Sequence, residues 1–171
     1  MRGFSGARIT LFTLCTATPA AIGIVVGGRL ADVRGRRAVG AFGVGIGTLL
    51  SVVAFSSDGW PLWAWTLVQN IVGAAVVPAL GVYRSEMFPT SLRGKAAGAL
   101  DIFSVIGSVV GLQLVGRMVD GGASYGTAFA TIAIAPLLVV VLVLVAYPET
   151  AMRSLEELNP EDSGTVLAPD R

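Results

Sequence analysis

The sequence runs to 171 residues, 54% hydrophobic and only 13% charged, with a mean hydropathy of +0.76 and a formal net charge of +1. An ordinary soluble domain is about 25% charged, so a soluble fold would lack polar surface to cover it; the net charge says nothing about partners, and the basic residues are placed by topology rather than pooled into a patch, so nothing points to nucleic acid. The chain has no histidine, which removes the commonest metal ligand and general base; its single cysteine, Cys15, lies in an apolar run and reads as a small buried residue.

Five apolar segments follow one another, each near the ~20 residues that cross a bilayer. Backbone groups in lipid must be satisfied within the segment, so each is predicted to be helical. The first covers 9–28. Arg2 and Arg8 precede it as they would in a leader peptide, but the run continues to Gly28 with no small-residue cleavage site in polar surroundings, and it reads as a span. Residues 28–37, Gly-Arg-Leu-Ala-Asp-Val-Arg-Gly-Arg-Arg, are expected to form a charged loop. Arg29, Arg34, Arg36 and Arg37 would each cost about 2.5–3.5 kcal/mol in hydrocarbon, and short arginine-rich loops stay cytoplasmic.

The second span covers 38–56, and the turn after it, through Asp58 and Gly59, has no basic residue. The third covers 61–82, with Trp60, Trp63 and Trp65 at its start as an interfacial aromatic belt would place them. Arg84, Glu86, Arg93 and Lys95 then precede the fourth span, 96–115. Asp120 and Arg117 lie before the fifth, 127–147. The basic stretches therefore fall on one side of the membrane. The loops after spans one and three and the carboxy-terminal tail are predicted to be cytoplasmic, with Met1 outside. Arg2 and Arg8 fit poorly outside, which points to further sequence upstream. The fold class is an all-α membrane protein: a helical unit over 1–150, then a solvated, largely disordered tail over 151–171.

Many of the 22 glycines lie within the spans, and Gly23/Gly27, Gly43/Gly47, Gly94/Gly98 and Gly107/Gly111 are each four apart. Such pairs flatten one helix face and allow close backbone approach. Gly43-Val-Gly45-Ile-Gly47 lacks both the spacing and the preceding strand of a nucleotide loop.

Three stretches carry a resemblance to a known family. Residues 28–37 are similar to G-x-L-x-D-x-x-G-R-[RK], the loop signature of the major facilitator superfamily, with Gly28, Asp32, Gly35, Arg36 and Arg37 on the motif positions. Glu86-Met-Phe-Pro89-Thr90-Ser-Leu-Arg93-Gly94 resembles the E-x-F-P-T-x-x-R-G run of sugar porters and metabolite symporters. Pro148-Glu149-Thr150 through Glu157 resembles P-E-T-x-G-x-S-L-E-E, with Met152 where the family has glycine. The order and spacing imply that the five spans correspond to the family's eighth to twelfth. The seventh span and the amino-terminal half would then be missing partners. Sugar porters commonly carry a tryptophan shortly after a proline in the tenth span; here Pro78 is followed by Ala79, Leu80, Gly81 and Val82, which weakens a hexose substrate.

The resemblance implies a cytoplasmic charge network of Asp32, Arg36, Arg37, Glu86, Arg93 and Glu149 that clasps helix ends and releases them as the helices rock. The plainer alternative is that these arginines only set topology. Within the spans, Gln69 and Asn70 suit either a polar solute or helix-to-helix hydrogen bonds. Asp101 is a candidate for proton coupling, or a structural ion pair about 7 Å into its helix. Gln113 lies about 120° round that helix from Asp101. The expectation is a secondary transporter of a small polar or anionic solute, proton-coupled in the intact protein and inactive as this polypeptide alone. It would be embedded in lipid as a multi-pass plasma-membrane protein, with no cofactor, no metal and no catalytic chemistry. An assembly subunit pairing with a separately encoded transporter half is the alternative.

Overall fold

A computed structural model describes residues 5–81, 88 and 90–146, and among these there are eight helices and no strand. In chain order they are α1 (Gly6–Ala17), α2 (Ala20–Arg34), α3 (Arg36–Ser56), α4 (Trp60–Ala74), α5 (Val76–Gly81), α6 (Thr90–Asp120), α7 (Tyr125–Ile132) and α8 (Ile134–Ala146). They build five helices long and apolar enough to cross a membrane: Gly6–Arg34, Arg36–Ser56, Trp60–Gly81, Ser91–Asp120 and Tyr125–Ala146. The five predicted spans are therefore present, three of them broken.

The breaks have a common cause. Proline has no N–H and its ring crowds the preceding turn, so it interrupts the hydrogen-bond ladder ahead of it. Pro19 separates α1 from α2; Pro78 and Pro136 each lie three residues past the breaks at Ala75 and Ala133. At those breaks the Ala75 N–H turns back to Val72 and Gly73, and the Ala133 N–H to Phe129 and Thr131.

The expectation of a ten-residue loop at 28–37 is corrected. Helix α2 continues through Arg34, α3 begins at Arg36, and Gly35 alone joins them. A helix of 29 residues measures about 44 Å at 1.5 Å per residue, well beyond a hydrocarbon core of ~30 Å. The charged end can remain helical because it projects out of the lipid. Gly35 has φ 96° and ψ 138°, a conformation open to glycine and strained for other residues.

Helix α3 is central, packing against α2, α4, α5, α7 and α8, whereas α6 packs against α7 and is otherwise largely exposed. Among the described residues six of the ten buried hydrophobic ones are alanines, so the seams close by backbone approach rather than by interdigitated large side chains. Glycines make that approach possible. A β-carbon on Gly27 would lie 2.5 Å from Ala75, one on Gly43 2.7 Å from Val76, and one on Gly47 3.3 Å from the Gly73 backbone; one on Gly23 would collide with the Ile71 carbonyl. The expectation does not extend to α6: Gly94, Gly98, Gly107 and Gly111 meet nothing within 4 Å among the described residues.

Cys15 is exposed, not buried. α1 meets α4 through Phe12 and Thr16, which leaves Cys15 on the outward face. The three tryptophans also divide: Trp60 is 78% exposed at the helix end, while Trp63 stacks edge-on against Phe12 at 5.1 Å.

Candidate functional site

Helix register places the turns at two ends of the bundle. Gly40 lies against Leu80, so the Gly35 joint and the end of α5 share one end; Ser56 lies against Gly126, so the Asp58 turn and the start of α7 share the other. The basic residues Arg34, Arg36 and Arg37 gather at the first end.

At that end Asp32 Oδ1 and Arg36 Nη2 are 3.9 Å apart, across the Gly35 joint. Both charges oppose their own helices. Asp32 sits in the last turn of α2, where the helix dipole favours a cation; Arg36 and Arg37 open α3, where it favours an anion. Helix stability therefore does not explain these residues. Their mutual attraction offsets part of the cost, and the Arg36 side chain is 18% exposed against 72% for Asp32. Arg37 is half-buried beside them and has an interaction of its own. Arg93, at the start of α6, has its Nε buried with no hydrogen-bond partner among the described residues. Glu86 and Glu149 lie outside the described residues, as does Arg84. Gly28 packs near Pro78, where a β-carbon would make an ordinary 3.5 Å contact, so Gly35 is the motif glycine that the backbone requires.

Of the four membrane candidates, the structure gives each a different surrounding. Asn70 Nδ2 donates to the Thr16 carbonyl at 3.0 Å, tying α4 to α1 beside the Pro19 break. Thr66, one turn earlier, is 8% exposed and its Oγ1 has no partner among the described residues. Gln69 instead faces an open groove of about 870 Å³ between α3, α4, α6, α7 and α8. Asp101 and Gln113 are exposed on α6 and do not line this groove; the α6 residues that do are Gly107, Val110, Gly111 and Leu114.

The groove is predominantly apolar, and among the described residues no ionisable side chain lines it. Its hydrogen-bonding side chains are Thr48, Ser51, Gln69 and Thr131. Thr131 donates to the Thr127 carbonyl at 3.0 Å, as helical threonines commonly do. Thr48, Ser51 and Gln69 have no side-chain hydrogen bond among the described residues. Neither Thr48 nor Ser51 stood out in the sequence. Their position on the face of α3 that carries Gly47 is the signal that would have found them. Phe129, which also lines the groove, stacks on Phe55 with ring centroids 3.8 Å apart.

Comparison with known proteins gives a consistent result. The model of the Major Facilitator Superfamily matches residues 2–169. The chain is 33% identical over 129 residues to "Probable actinorhodin transporter" of Streptomyces coelicolor, an alignment covering 73% of this chain and 22% of that protein. It is 25% identical over 122 residues to "Cis,cis-muconate transport protein" of Acinetobacter baylyi, covering 71% and 30%. To "Probable anion transporter 4, chloroplastic" of Arabidopsis thaliana it is 30% identical over 105 residues, covering 60% and 20%. The chain thus spans less than a third of these relatives. No solved structure matches it.

Proposed function

Because this chain belongs to the major facilitator superfamily, a family of transporters and not of enzymes, we propose that it forms part of a secondary transporter carrying a small polar or anionic metabolite by alternating access. The observation that carries the reading is the match of the superfamily's model to residues 2–169, on a chain with five helices long and apolar enough to cross a membrane; the Gln69 groove is the cavity that four of those spans enclose. Names of relatives that refer to muconate and to anions support a metabolite or anion over a hexose. Coupling to a proton belongs to the same proposal, with Asp101 as the candidate carrier.

The charged end supplies the clasp. Asp32, Arg36 and Arg37 lie where helix dipoles disfavour them, and the buried Arg93 Nε is left wanting an acceptor. Acceptors from Glu86, Glu149 or a second half of the transporter would complete the network in one conformation and release it in the other. This end is cytoplasmic, in the plasma membrane, and the carboxy terminus lies on the same side.

The five spans correspond to one half of the family fold, so the remaining helices are a required partner. Proteoliposomes containing only this polypeptide are expected to show no muconate flux above empty vesicles. Proteoliposomes of the longer transporter, with the missing spans, are expected to show saturable uptake. Flux through this chain alone would overturn the reading. In a second form of the reading the complementary half is a separate polypeptide, and the open glycine faces of α6 are where either form would place it.

A further inference from the structure

The groove beside Gln69 has a chemical character that narrows what it receives. Its wall is built mainly of valine, leucine, isoleucine, alanine, glycine and the Phe129 ring, with no charged side chain among the described residues. An ionised carboxylate placed there would lose hydration with nothing to replace it, a cost of several kcal/mol in real proteins. Three neutral groups nevertheless keep their hydrogen-bonding capacity unused: the Thr48 and Ser51 hydroxyls and the Gln69 amide. Away from the groove Thr10, Thr13, Thr16, Ser56 and Ser108 donate to the carbonyl four residues earlier, and Asn70 to Thr16; on its wall Thr131 does the same. Thr66, Ser104 and Gln113 also have no side-chain hydrogen bond among the described residues; what sets Thr48, Ser51 and Gln69 apart is that they share the wall of one cavity.

Register brings two of them to one level. Gly43 faces Val76 and Gly47 faces Gly73 across the antiparallel α3–α4 seam, so one turn further on Ser51 comes opposite Gln69. That level lies near the middle of the Trp60–Gly81 span, where water is scarce and an unused amide is expensive. A lipid chain would fill the groove without satisfying these groups.

We propose that the groove binds the uncharged part of a solute: an apolar body bearing neutral hydroxyl or carbonyl groups, held by Gln69 and Ser51 with Thr48 beside them. The Gln69 amide donates to a solute carbonyl, and the Ser51 and Thr48 hydroxyls accept from or donate to its hydroxyl. Any carboxylate on the solute is met outside this wall. The assignment rests on the reading of the groove as part of the solute path, and it is tested by binding rather than by flux.

The full chain in lipid nanodiscs is dialysed against labelled 4-hydroxyacetophenone, with empty nanodiscs subtracted for partition into lipid. Saturable binding is expected, with 4-hydroxybenzoate and 4-ethyltoluene, the charged and the hydrogen-bond-free analogues, competing poorly. Gln69→Leu and Ser51→Ala are each expected to weaken binding about tenfold, the effect of one lost hydrogen bond. Thr48→Val, nearly isosteric, gives a second reading should a variant lose its helicity. Absence of saturable binding, equal competition by 4-hydroxybenzoate, or affinity unmoved by the folded variants would overturn the assignment. Binding that follows the expected pattern while the longer transporter moves no solute would sink the transport reading alone.

Discussion

Asn70 reaches across the bundle to the Thr16 carbonyl at 3.0 Å, fastening α4 to α1 where Pro19 has interrupted the first span. An amide that bonds between helices in lipid contributes about 0.6 kcal/mol on average and up to ~1.7. Asn70→Leu is expected to lower stability by about that amount, measured by thermal unfolding in detergent. Gln69→Leu, one position earlier and facing the groove, should leave stability nearly unchanged. Equal losses from both would erase the distinction between the two amides.

Glycines four apart separate into two groups. A methyl at Gly27 would come 2.5 Å from Ala75, so α2 and α4 must part. Gly27→Ala is expected to cost about 1–3 kcal/mol. Gly98→Ala meets open space and should be neutral or stabilising by up to about 1 kcal/mol, through reduced freedom of the unfolded chain. Parallel unfolding curves for the two variants check the contrast.

At the joint between α2 and α3, Gly35→Ala forces a β-carbon into φ 96° and ψ 138°. The expected loss is about 1–3 kcal/mol, and Gly28→Ala, in a helix beside Pro78, should lose much less.

Asp32→Asn is the sharpest test of a functional charge. An exposed pair is worth about 0–1 kcal/mol, and removing an anion from a helix carboxy terminus is favourable. Stability should therefore hold within about 0.5 kcal/mol. Under the clasp reading, transport by the longer protein should nonetheless fall sharply. Unchanged transport would reduce the residue to a topology marker.

Membrane topology can be read directly. In a Cys15→Ala background, Val33→Cys and Leu92→Cys should react with an impermeant thiol reagent from the same side, and Asp58→Cys from the other. Labelling of Val33→Cys and Asp58→Cys from one side would contradict the fold.

Much of this architecture is legible in the residues. Twenty-residue apolar runs leave few alternatives to spanning helices, and the arginines at 29, 34, 36 and 37 mark one end of the bundle. Less legible is what depends on partners distant in sequence. Helical periodicity puts Gln69 and Asn70 on adjacent faces, but only the packing of α1 on α4 decides that one is tied to Thr16 and the other faces a cavity. Gly27 and Gly98 look alike in a sequence; their difference lies in whether another helix crosses there. Serine and threonine in an apolar run are ordinarily satisfied by their own helix, so Ser51 and Thr48 gave no sign of being idle.

A connector one residue long has no slack. With Arg34 ending one helix and Arg36 beginning the next, any tilt of the first rod is handed to the second as through a stiff elbow, and neither can slide along its axis without the other. Of the first crossing it is only the part beyond the Pro19 break, α2, that is bound to α3 in this way.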